Sequence, residues 1–153
     1  MSLPFFSQEL PTSCVAACVR MVLAALGHTL TEEEIRVRCD HSALGMRLNR
    51  VAEGLADLHV VVKYESDWGL DDLRDVVRTG ATPIVGIDLR PVEGIFAFHA
   101  VVILDITAEQ VTAHDPLYQE GFRSISLTTF EAAWNKADRE TVIILPDLMS
   151  LAT

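Results

Sequence analysis

Thr12-Ser13-Cys14-Val15-Ala16-Ala17-Cys18-Val19-Arg20-Met21-Val22-Leu23-Ala24-Ala25-Leu26-Gly27 is a turn, an apolar run and a stop. Thr12 or Ser13 suits the N-cap of a helix reaching Leu26, and Gly27 suits its left-handed C-terminal stop. That reading leaves Cys14 in the first helical turn. A sulfur at a helix N-terminus faces unpaired backbone N–H groups, whose partial positive charge favours thiolate over thiol.

Outward from this helix, the first half of the chain stays helical. Thr31 and Glu34 form a capping-box pattern that opens a short helix toward Cys39. Leu44, Leu48, Val51, Ala52 and Leu55 recur at helical spacing, which predicts a third helix through about Ala56. From His59 the texture changes. β-Branched residues cluster in short runs bounded by Gly, Pro and Asp, predicting strands at His59–Tyr64, Pro83–Asp88, Phe98–Ile106, Gln110–His114, Arg123–Leu127 and Thr141–Leu145. Two further helices are expected, Leu70–Arg78 capped near Asp67, and Thr128–Lys136 with Phe130, Ala133 and Trp134 on one face. Strands that follow one another without regular intervening helices imply a mostly antiparallel sheet, on which the early helices pack. The expectation is an α+β fold in a single domain over residues 1–153, with no internal repeat, low-complexity tract or dividing linker.

Composition narrows the function. A chain of 153 residues, half of them hydrophobic, can bury a core and is no disordered tail. A net charge of -10 argues against a nucleic-acid or anionic-membrane binder, since phosphates require a basic face. Cysteines number three, and the first Lys or Arg is Arg20, so no charged segment precedes an apolar signal. The apolar run Cys14–Leu26 is interrupted by Arg20 and falls short of the roughly 20 residues that span a bilayer. A soluble, cytoplasmic, reduced protein with no membrane span is expected.

The chemistry gathers at Cys14, His99 and Asp115. A Cys in an apolar helix is ordinarily a small core residue, and Cys18, one turn on, fits that role. Position separates Cys14, which follows a Pro-Thr-Ser turn at the helix start. A thiol nucleophile needs a base, and imidazole holds a proton near neutral pH. His99 heads the apolar strand Phe98-His99-Ala100-Val101-Val102-Ile103-Leu104, where a polar ring requires a partner. Asp115 ends the following strand, so if the two strands are hairpin neighbours the carboxylate can orient the ring at one sheet end. His114 alternates to the opposite face, which favours His99 as the base. Six residues before Cys14, the amide of Gln8 can serve a tetrahedral oxyanion. The rival arrangement is zinc held by Cys14, Cys18, Cys39 and His41, but Cys14 and Cys18 sit on a regular helix rather than the turn that structural zinc prefers.

Gln8, Cys14, Ala17, Cys18, Met21, Val22, Leu23 and Gly27 together resemble the amino-terminal motif of the C39 peptidases, papain-like proteases of bacteriocin-processing transporters. Phe98 to Leu104 resembles their histidine strand, and His114-Asp115-Pro116 with Ser126, Phe130 and Trp134 resembles their aspartate turn and closing helix. The resemblance runs from Gln8 to about Leu145. It implies a papain-like cysteine protease fold with Cys14 as nucleophile, His99 as general base and acid, Asp115 as orienting group and Gln8 in the oxyanion hole. It implies no metal or cofactor. The substrate implied is a peptide or protein cut after small, double-glycine-like residues through an acyl-enzyme, with a transporter as a possible separate partner. Val15 departs from the family, which usually has Gly there, and its branched side chain is expected to narrow the approach of substrate. A noncatalytic peptide-binding module, or an amidase or acyltransferase using the same acyl-enzyme, are the alternative readings.

Overall fold

Helix α1 (Cys14–Ala25) ends in a Schellman motif: Gly27 takes φ +92, its N–H donates to Ala24 O, and the N–H of His28 donates to Leu23 O at 2.8 Å. The start of α1 differs from the expected cap. Ser13 occupies the N-cap, but its hydroxyl is taken by Leu10, accepting from Leu10 N and donating to Leu10 O, so no side chain caps the first turn. Helix α2 (Glu32–Arg38) carries the expected capping box, with Thr31 accepting from Glu34 N and Glu34 from Thr31 N.

The computed structural model describes residues 3–148; the outermost residues of the expected domain, 1–2 and 149–153, lie outside the described residues. The third helix is shorter than its sequence pattern. A 3-10 turn at Leu48–Arg50 leads into a single turn, α3 (Val51–Gly54). Leu44 belongs to a tight turn, where Ser42 and Gly45 exchange backbone hydrogen bonds, and it is exposed. Gly45 at φ +105 bends the chain where the apolar spacing alone suggested continued helix.

The remaining elements are β1 (Val60–Glu65), α4 (Leu70–Arg78), β2 (Ile84–Asp88), α5 (Arg90–Glu93), β3 (Phe98–Ile106), β4 (Gln110–His114), β5 (Phe122–Ser126), α6 (Leu127–Lys136) and β6 (Thr141–Pro146). Helix α4 begins after Gly69, whose N–H donates to Asp72, rather than near Asp67. The single turn α5 carries no periodic sequence signal. Ser126 accepts from Thr129 N, so α6 starts directly where β5 stops. All strand pairs are antiparallel, in the order β1-β6-β2-β3-β4-β5.

Strand alternation divides the core between the two sheet faces. Ala100 and Val102 meet Val15, Cys18, Val19 and Val22 of α1 on one side. Val101 and Ile103 meet Phe130, Ala133 and Trp134 of α6 on the other. Each fully buried large apolar side chain contributes roughly 1.5–3 kcal/mol, so α1 is seated by its own apolar face, and with it Cys14. Among the described residues no helix is long and apolar enough to cross a membrane.

Candidate active site

Strands β3 and β4 pair with Val102 opposite His114, which brings the residue after His114 beside the end of β3 that carries His99. Nε2 of His99 lies 2.6 Å from Oδ1 of Asp115. Both side chains are buried, Asp115 completely. Its carboxylate accepts three hydrogen bonds, from His99, from Leu117 N at 2.9 Å and from Nη1 of Arg123 at 2.9 Å. Burial works against the charged carboxylate, but His99, the Leu117 N–H and Arg123 together hold Asp115 below the ordinary carboxylate range.

Cys14 lies near enough to His99 to help raise the imidazole, and with Nε2 bonded to Asp115, Nδ1 is the ring nitrogen free of that bond. Burial by itself lowers the imidazole. The hydrogen bonds and negative charges of Asp115 and Cys14 outweigh it and raise His99 to about 9. His99 is thus flanked by a sulfur and a carboxylate, both of which favour imidazolium.

The three cysteines are free thiols, and Cys14 is the partly exposed one. Cys18 donates to Ala100 O, and burial first, then the charges of Cys14 and Asp115, push its thiol well up. Cys39 is buried, and that burial raises it to about 11. His41 turns its Nε2 to Thr12. Cys14, Cys18, Cys39 and His41 therefore have separate roles, and among the described residues no three His, Cys, Asp or Glu side chains gather as a metal site requires.

Gln8 is held in place by backbone. Its N–H donates to Pro116 O at 3.0 Å, adjoining Asp115, and the next N–H, that of Glu9, donates to the buried carboxylate of Glu32. Glu9 itself pairs with Arg20 of α1 and Arg36 of α2. The amide Nε2 of Gln8 donates to Leu10 O at 2.8 Å and Pro11 O at 3.2 Å, inside the turn that leads into Cys14. Its Oε1 is buried without a hydrogen-bond partner among the described residues.

His114 lies apart from this group. Its ring packs edge-on against Phe5 and Phe122, with Nε2 3.1 Å from Leu3 O. Val15 is 1% exposed and packs into the core between α1 and the sheet. Its branched side chain is thus buried in the core rather than exposed beside Cys14.

Arg123 and Glu93 join the site without a motif in the sequence to mark them. Arg123 opposes Ala113 in the β4–β5 ladder, and its Nη2 reaches Glu93 of α5 at 2.7 Å while Nη1 holds Asp115. The usable signal was the β4–β5 pairing, which makes positions 123 and 115 diagonal neighbours across two strands.

The family model described as the Peptidase_C39 like family matches residues 1–142. No curated protein sequence matches the chain. The solved structures that share its fold include two from transporter peptidases. One is a double glycine motif protease from an AMS/PCAT transporter in complex with the leader peptide, at 20% identity, TM-score 0.75, over 95% of this chain and 92% of that one. The other is the peptidase domain of Streptococcus ComA, a bi-functional ABC transporter involved in a quorum sensing pathway, at 16% identity, TM-score 0.77, over 95% and 99%. At these identities the two structures speak for the fold, and the α+β arrangement of helices on a six-stranded antiparallel sheet is that of C39 peptidase domains. With the family model spanning nearly its whole length, the chain belongs to the Peptidase_C39 like family.

Proposed function

We propose that this protein is a cysteine peptidase that cuts a leader-type peptide after small, double-glycine-like residues, with Cys14 as nucleophile, His99 as base and acid, and Asp115 as orienting group. The observation that carries the reading is the buried His99–Asp115 pair, 2.6 Å apart, whose imidazole is raised by Asp115 and by the partly exposed Cys14. Sulfur of Cys14 attacks the scissile carbonyl, and the oxygen takes up negative charge. The uncapped first turn of α1 and the amide of Gln8 supply donors for that charge. Imidazolium then protonates the leaving amine through Nδ1, leaving a thioester. Water, deprotonated by the same nitrogen, releases the acid and restores the thiol.

The leader peptide bound to one structural neighbour supports a peptide substrate, and the transporter origin of both supports a transporter as a partner. The reading is of a cytoplasmic enzyme that needs no metal or cofactor. Its test is incubation with synthetic leader peptides ending in Gly-Gly, with products identified by mass. Cleavage after the small pair, lost in Cys14→Ala, is expected. Tight binding without cleavage points to a peptide-docking module instead, and turnover of a simple amide or acyl acceptor alone points to an amidase or acyltransferase.

A further inference from the structure

On the basis of the triad just described, we infer that Arg123 is a positioning residue for the catalytic pair: bridging Glu93 and Asp115, it fixes the carboxylate against His99 and sets the charge the imidazole experiences.

The guanidinium is well placed for both tasks. Its side chain is 9% exposed, it donates from Nη1 to Oδ2 of Asp115 at 2.9 Å and from Nη2 to Oε1 of Glu93 at 2.7 Å, and its Cζ lies 4.6 Å from the centroid of the Tyr118 ring. Asp115 Oδ1 is already shared by His99 and Leu117 N, so Arg123 is the group that holds the second oxygen. Without it, a completely buried carboxylate oxygen loses a charge-assisted donor, and the plane of the carboxylate is free to turn away from the ring. Outer partners of this kind fix the ring through its orienting group.

Charge gives the arrangement its second consequence. A lone Arg beside Asp115 would oppose imidazolium at His99. Glu93, contributed by α5 in the β2–β3 connection, offsets that cation. The groups facing the pair are Cys14 and Cys18 from α1, Glu93 from α5, Arg123 from β5 and Tyr118 from the turn after Asp115. Lys in place of Arg123 keeps a cation but cannot reach two carboxylates with a fixed planar fork.

The test follows alkylation of Cys14 by iodoacetamide against pH, read by intact mass, so that no peptide substrate is needed. Arg123→Gln is expected to slow Cys14 alkylation near neutral pH by about tenfold and to move the alkaline limb of the profile upward, because Glu93 then stands unopposed. Glu93→Gln is expected to move the limb downward. In Arg123→Gln combined with Glu93→Gln the limb returns toward wild type while the rate stays low, and Arg123→Lys recovers part of the rate. A merely structural ion pair would lower the melting temperature and leave both rate and limb in place, which overturns the inference. Should Arg123→Gln fail to fold, an unmoved limb in Glu93→Gln overturns it equally. A wild-type profile that His99→Ala does not change would bring down the triad reading, and the role of Arg123 with it; a His99-dependent profile that ignores Arg123 and Glu93 would refute only the latter.

Discussion

The backbone N–H of Gln8 donates to the carbonyl of Pro116 at 3.0 Å, so the residue proposed for the oxyanion hole is fastened to the turn that carries Asp115. The tie uses main chain only, which leaves the side chain free to act or to be replaced. At rest, the amide donors of Gln8 are directed at Leu10 O and Pro11 O. A developing oxyanion attracts an N–H about twice as strongly as a neutral carbonyl does, which favours a swing of the amide during acylation. Gln8→Ala is therefore expected to lower kcat on the order of 10²–10³-fold with little change in KM, measured on leader-peptide cleavage. An unchanged kcat would leave the amide as a strut of the 8–11 turn.

Two cysteines one helical turn apart are expected to behave oppositely. Cys14 is partly exposed and helps raise His99, whereas Cys18 is fully buried and its thiol is pushed well up. Cys14→Ala should abolish cleavage and single-site thiol labelling while the fold is kept, with only the loss of the proton affinity that Cys14 lends His99. Cys18→Ala should keep both, at a stability cost of about 1 kcal/mol for a buried small side chain. Activity surviving in Cys14→Ala but not in Cys18→Ala would reverse the assignment.

The pH dependence has a definite sign. His99 is raised from an ordinary 6.5 to about 9, with burial pulling down and the hydrogen bonds and charges of Asp115 and Cys14 pushing up. The folded state therefore holds this proton more tightly than the unfolded chain. Its contribution to stability is complete below the ordinary value of 6.5 and is lost as pH rises through about 9. Asp115 is depressed, so its contribution is present above its ordinary 3.8 and disappears as pH falls through its folded value. Denaturant unfolding of wild type and His99→Ala should show a stability gap near pH 5.5 that shrinks by about pH 10. A gap of constant size would contradict the ion-paired imidazole. Cleavage should decline over the same alkaline range, as imidazolium is lost.

Much of this was legible in the sequence because it rested on local signals. Gly27 after the apolar run, the Thr31–Glu34 box and the β-branched runs each specify backbone geometry within a few residues, and the helices and strands built on them match to within one or two positions. The spacing of β3 and β4 even placed His99 near Asp115, because a hairpin fixes register. Leu44 misled because helical spacing says nothing of Gly45, whose backbone turned the chain. Residue type makes Ser13 a natural capping side chain, but its hydroxyl bonds backward to Leu10. Arg123 and Glu93 escaped because they meet across separate elements, α5 and β5, and a single-turn helix such as α5 leaves almost no periodic trace.

Asp115→Asn tests how much of the site depends on charge rather than shape. The carboxylate accepts on Oδ1 from His99 and Leu117 N and on Oδ2 from Arg123. An amide has one acceptor oxygen. If that oxygen keeps His99 and Leu117, the NH₂ group is set against Nη1 of Arg123, donor facing donor in a site without solvent; if it turns to Arg123, the NH₂ faces His99 and Leu117. Either arrangement leaves a buried donor unmatched, and the loss is about 1–3 kcal/mol of stability. Cleavage should fall because imidazolium loses its anion, yet remain above that of His99→Ala, since an amide oxygen can still orient the ring. Denaturant unfolding and single-turnover cleavage, measured on both variants, decide the point. Asp115→Asn that matched wild type in stability and rate would mean that the carboxylate only fills space beside His99.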